Sequence, residues 1–95
     1  MDTQYVKPVL KTHKERLFAT YSLTSIALFG SYADGTATDE SDVDIMVEFS
    51  RPVSFEFIDL TIELKNLFHK KIDIVTRKAV KPSLMSYIQP QLQYV

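Results

Sequence analysis

Apolar positions along the chain fall into blocks, and the repeat within each block predicts an element. From about Gln4 to Tyr21, Val6, Val9, Leu10, Leu17, Phe18 and Tyr21 recur at helical spacing, with His13 in the slot between Leu10 and Leu17. Pro8 fits only the first turn of a helix, so regular helix is expected to begin near it. Ser25-Ile26-Ala27-Leu28-Phe29 is a short, mostly apolar run that stops at Gly30, the pattern of a buried strand. Ser31 to Ser41 is small and polar, which predicts a loop with room for one helical turn at its start. Asp42 to Phe49 alternates strictly, a second strand. Val43, Ile45 and Val47 are expected to face the core, which leaves Asp42, Asp44, Met46 and Glu48 on the opposite face.

Ser50-Arg51-Pro52 breaks that strand. Ser54 is placed to N-cap a helix over about 55–69, with Phe57, Leu60, Ile62, Leu64, Leu67 and Phe68 as its buried face. Glu56 and Asp59 near its start and His69, Lys70 and Lys71 at its end suit the helix dipole. His69 therefore reads as a helix-end cation, and His13 as a packed or half-exposed side chain. Phe55 and Phe57 read as core or as part of a subunit interface. Lys71 to Thr76 is a third strand. Pro82 opens a short last helix through Leu84, Tyr87 and Ile88, which Pro90 stops. Leu92 to Val95 can be extended and pair with a sheet edge.

The order of elements, α-β-α-β-α-β-α with a short α or loop after the first strand, predicts an α/β fold: a small mixed β-sheet of three to four strands packed with helices. The first two strands are expected to be antiparallel neighbours. The loop joining them is long for a hairpin, and loops of that kind are usually functional.

Composition narrows the picture. The 95 residues suit one domain, residues 1–95. The lack of cysteine excludes a disulfide scaffold, thiolate metal sites and cysteine nucleophiles. No apolar run approaches the roughly 18 residues that span a membrane, and Met1 to Tyr5 does not look like a signal peptide. A cytoplasmic protein with no membrane partner is the expectation. The net charge is only −1, but residues 30–64 carry nine acids against Arg51 alone. Residues 65–95 carry six cations against Asp73. An acidic middle repels a nucleic-acid backbone unless metal ions intervene, so direct DNA binding is not expected.

Three features within and beside that acidic stretch carry candidate chemistry. Gly30-Ser31 follows a buried strand, where glycine permits close approach of a ligand and the following amides can meet a phosphate. Taken alone the pair is a weak signal, and an ordinary turn with a helix N-cap is the simpler reading of it. Asp42 and Asp44, two residues apart on one strand face, can clamp a hard divalent cation such as Mg2+, or stand as solvated acids on an open face. Asp73 sits in the third strand; an acid there is costly unless it is paired, exposed or metal-bound. If that strand lies beside the second, Asp73 joins Asp42 and Asp44. Three clustered carboxylates call for a divalent ion, and such a triad suits a two-metal site that steadies a nucleoside triphosphate and activates an attacking oxygen.

Gly30-Ser31, ten residues, then Asp42-Val43-Asp44 resembles the signature of the polymerase-β-type nucleotidyltransferases. The wider strings Ala27 to Gly35 and Ser41 to Ile45 are similar to the minimal nucleotidyltransferase family within it. Lys71 to Val75 and Ala79 to Leu84 match the family's later segments, so the resemblance covers nearly the whole chain. It implies that Gly30 and Ser31 hold the triphosphate of ATP, that Asp42 and Asp44 bind magnesium, and that Asp73 is the third metal-site carboxylate. It implies transfer of AMP to an acceptor hydroxyl, on a partner toxin of the HEPN class that the protein silences as an antitoxin. A homodimer is a further possible assembly. One departure stands out: Asp34 occupies a position where many members carry Arg. Arg51, Lys70, Lys71, Lys78 and Lys81 are candidates to supply the missing cation. If none does, the expected alternative is a catalytically weak or inactive antitoxin that neutralises its partner by contact. Tyr32, next to the Gly-Ser turn, either packs beneath the loop or contacts a base.

Overall fold

A computed structural model of the chain describes residues 5–95. A helix start at Gln4 lies outside the described residues. The elements are α1 (Val6–Tyr21), β1 (Leu23–Phe29), α2 (Ser31–Asp34), β2 (Val43–Phe49), α3 (Phe55–Phe68), β3 (Ile72–Thr76), α4 (Pro82–Ile88) and β4 (Gln93–Tyr94). Short 3-10 turns at Arg77–Ala79 and Gln89–Gln91 flank α4.

Most boundaries lie where the pattern puts them, and the exceptions have local causes. Helix α1 begins two residues before Pro8, which therefore sits third in the helix, where its missing N–H is one of the unpaired donors of the first turn. Ser54 holds the N-cap position of α3, but its hydroxyl caps nothing. Glu56 does that work instead: its carboxylate accepts from the Ser54 amide at 2.8 Å. Helix α3 closes one residue earlier than expected, because His69 adopts the left-handed conformation and caps it. Strand β2 opens at Val43 rather than Asp42, so Asp42 stands just ahead of the strand.

The strands form one mixed sheet in the order β3-β2-β1-β4. β1 runs antiparallel to both β2 and β4, and β2 runs parallel to β3. The residues facing α1 and α3 make the main core: Ile26 and Leu28 of β1, Val43, Ile45 and Val47 of β2, with Leu10, Leu17, Leu60, Leu64 and Phe68 from the helices. Ile62, expected inside, is 53% exposed, because it falls on the same solvent side of α3 as Phe55 and Ile58. Met46, expected on an open polar face, is buried together with its cross-strand partner Ala27. That second face of the sheet is open only toward its ends, and one end carries the acids.

Candidate active site

At that end meet the Gly30 turn after β1, the Asp42–Asp44 stretch, the start of β3 and the 89–95 segment. Gly30 has φ +70° and ψ −149°, a region that side chains strongly disfavour. Its Cα also lies against Asp44, and a Cβ built there would collide with Oδ2 of that carboxylate. Conformation and close approach both require glycine. The Gly30 carbonyl accepts from the amides of Ala33 and Asp34 at 3.0 and 3.1 Å, which forms the single turn of α2. Among the described residues, the amides of Ser31 and Tyr32 make no backbone hydrogen bond outside regular elements, which leaves them available to an anion.

Asp44 pairs in register with Asp73 across the parallel strands β2 and β3. Register partners project from the same face, with strands about 4.8 Å apart. Asp44 is half-buried, and this burial pushes its carboxyl above the usual range, with the charges of Asp73 and Asp42 adding to the rise. Asp73 is exposed on an edge strand, so the cost of an acid inside the sheet does not arise. Asp42 lies 3.6 Å from the Lys71 ammonium. Among the described residues, no three acidic, histidine or cysteine side chains close tightly enough to cage a metal unaided. Magnesium does not need such a cage; it keeps waters and takes substrate phosphates alongside one or two carboxylates. Three oxygen donors that repel one another, one of them partly desolvated beside a cleared glycine, fit a hard divalent ion.

An open groove of about 860 Å³ adjoins Asp42, between residues Asp39–Asp42 and Phe68–Lys71. Of the five candidate cations, Lys70 and Lys71 line it. The Lys70 ammonium donates to the Asp39 carbonyl and stands 6.0 Å from the centre of the Tyr32 ring. Arg51 and Lys78 line a different pocket, and Lys81 stands at the N-cap position of α4. Asp34 is exposed, and its carboxylate accepts from the Thr36 amide at 2.9 Å and hydroxyl at 2.6 Å. Those bonds hold it below the usual carboxylate range. It closes the turn at Gly35. Tyr32 packs against the main core with its hydroxyl buried and unpartnered. Gln91 and Gln93 also reach the Gly30 turn. Sequence reasoning missed them, since isolated glutamines in a short tail carry no pattern.

A glycine turn after β1, two acids at the start of β2 and a third on its parallel neighbour β3 gather at one end of an α/β sheet. The chain belongs to the nucleotidyltransferase domain family, whose model matches residues 10–95, and it is a nucleotidyltransferase. It is 42% identical over 94 residues to MJ1379 of Methanocaldococcus jannaschii, named as a protein adenylyltransferase, covering 95% of this chain and 94% of the relative. It is 32% identical over 91 residues to the protein adenylyltransferase MntA of Thermococcus cleftensis, covering 95% and 92%. In fold it resembles a solved minimal nucleotidyltransferase, with a TM-score of 0.85 at 24% identity over 98% of this chain and 95% of that one. A toxin–antitoxin crystal structure with AMP-PNP matches in fold with a TM-score of 0.73 at 24% identity, over 88% and 70% of the two chains.

Proposed function

We propose that the protein transfers AMP from magnesium-bound ATP to a hydroxyl of a partner protein, a HEPN-class toxin, and so acts as its antitoxin. The observation that carries this reading is the convergence of Gly30, Asp44 and Asp73 at one end of the sheet. The names of its relatives support the protein acceptor, and the toxin–antitoxin fold neighbours support the partner.

In this reading Gly30 and Ser31 receive the triphosphate, and Asp42, Asp44 and Asp73 hold divalent metal. Divalent metal held there would neutralise the negative charge carried by the phosphate oxygens and the departing pyrophosphate. The acceptor oxygen attacks the α-phosphorus, the bond to the β-phosphate oxygen breaks, and pyrophosphate leaves. The acceptor's proton passes to the Asp73 carboxylate, the most exposed of the three. The protein's contribution is position and electrostatics rather than covalent chemistry. Exposed Phe55, Ile58 and Ile62 offer apolar surface of the kind that a protein partner covers.

The test is transfer of label from α-labelled ATP with magnesium to the purified partner. Transfer that disappears in Asp42→Asn and in Asp44→Asn is the expected result. Label retained in both variants would sink the metal assignment. A protein that neutralises its partner without labelling it would be a contact antitoxin. That alternative drew on Asp34, whose carboxylate is engaged by Thr36.

A further inference from the structure

The segment from Gln89 to Val95 makes more side-chain contact with the Gly30 turn than a two-residue strand needs. β4 contributes only two ladder pairs with β1, Tyr94 to Ala27 and Gln93 to Leu28, and the Val95 amide extends them by donating to the Ile26 carbonyl at 3.0 Å. Two glutamines then bracket α2. The side-chain oxygen of Gln91 accepts from the Gly30 amide at 3.3 Å, at the entry of the turn. The side-chain amide of Gln93 donates to the Ala33 carbonyl at 2.6 Å, near its exit. Both contacts are partly buried, so neither is idle surface pairing.

The same segment is moored at its other end. Arg77, just beyond β3, donates to the Tyr94 hydroxyl at 3.0 Å and to the Gln89 side-chain oxygen at 2.5 Å. Arg77 also stands 3.9 Å from the Glu48 carboxylate, which accepts from the Ser25 hydroxyl at 2.8 Å. Arg77 thus links the end of β3 to Glu48 of β2, and through it to Ser25 of β1, and separately to Tyr94 of β4. The strand that bears Asp73 and the turn that bears Gly30 are tied to one strap.

Gly30 needs such a strap. Glycine adopts φ +70° and ψ −149° without strain but is equally free to leave it, so the turn is fixed only by what holds it from outside. The adjoining helix is one turn long and cannot hold itself. We propose that Gln91 and Gln93 are positioning residues for the nucleotide turn: they hold Gly30 to Ala33 in the geometry that receives the polyphosphate. This rests on the reading of that turn as the nucleotide site.

The experiment combines amide hydrogen exchange on the nucleotide-free protein with titration of a non-hydrolysable ATP analogue plus magnesium. Gln91→Ala and Gln93→Ala are each expected to speed exchange across Gly30 to Thr36. Each is expected to weaken analogue binding about three- to tenfold, the change that one lost hydrogen bond produces. In turnover the loss falls on KM for the nucleotide rather than on kcat. Two conservative variants separate positioning from general damage. Gln93→Lys keeps a long donor and restores slow exchange and affinity. Gln91→Glu keeps the acceptor, so the turn stays protected, but its charge weakens polyphosphate binding more at low salt than at high salt. Unchanged exchange in the Gln91→Ala/Gln93→Ala double variant would overturn the proposal. So would unchanged analogue affinity in a protein that binds the analogue. If the unmodified protein binds no analogue, the nucleotide reading fails on its own and exchange alone decides the strap.

Discussion

Single atoms decide the geometry at Gly30. A methyl group there has no space beside Asp44 and no comfortable backbone angle. Gly30→Ala is expected to lower stability by about 1–3 kcal/mol, read from a denaturant midpoint, and to displace Asp44 with a matching loss of transfer. Tyr32 gives the opposite sign. Its buried hydroxyl has no partner, so Tyr32→Phe removes a desolvated group and is expected to be neutral or stabilising by up to about 2 kcal/mol. A clear loss of midpoint in that variant would show that the hydroxyl is satisfied in solution. The acids and Gly30-Ser31 were legible in the sequence because their spacing is short and tied to strand ends. The Asp34 carboxylate was legible only as a charge. That it turns onto Thr36, two residues on, is a local choice of rotamer which no pattern records.

Between elements, a small network ties α1 to α3. Glu63 of α3 accepts from the Arg16 guanidinium and from the Tyr21 hydroxyl, the latter at 2.7 Å. The hydrogen bond from Arg16 is the main cause holding the Glu63 carboxyl below its usual range. Its contribution is therefore fully present above the unfolded value of 4.5 and is lost as pH falls through the lowered folded one. Tyr21 is pushed up to about 12 by burial first and by Glu63 second. Its contribution holds below 10 and is lost as pH rises through about 12. Glu63→Gln is expected to cost about 1 kcal/mol at pH 7, allowing for solvent screening, with the gap closing as pH falls through the lowered Glu63 value. Thermal midpoints across that range for both proteins check it. α1, α3 and β2 were legible from period, β1 and β3 from short apolar runs, α4 from its flanking prolines and β4 from its extended tail. Ile62 was not, since an apolar residue on a broad helix face can lie on either side of its margin.

For the whole molecule, core and site occupy opposite faces of one sheet, so stability and ligand binding meet through the strands. Magnesium with ATP analogue at about a hundred times its dissociation constant should add about 2.7 kcal/mol to folding. For a chain of this size that is a rise of roughly 10–20 °C in Tm. Asp44→Asn is expected to abolish the rise while starting from a higher metal-free midpoint, because it removes a partly buried charge that Asp73 and Asp42 repel. A full rise in that variant would separate nucleotide binding from the acids. The sheet order was only half legible. Adjacency of β1 and β2 follows from a short connection, but whether β3 lies beside β2 depends on how α3 crosses the sheet. The pairing of Asp44 with Asp73 was accordingly conditional until the parallel register was known.

That register has a consequence for how such a chain drifts over generations. Two acids held side by side by backbone pairing cannot move apart, so replacing the half-buried one, Asp44, with a neutral residue relieves the fold. Mutation there runs downhill toward asparagine or serine, whereas the apolar face beneath resists change. In a lineage released from its chemistry, the carboxylates would disappear long before the architecture did. In the proposed reading, what those acids do for metal and nucleotide is the force that opposes such drift.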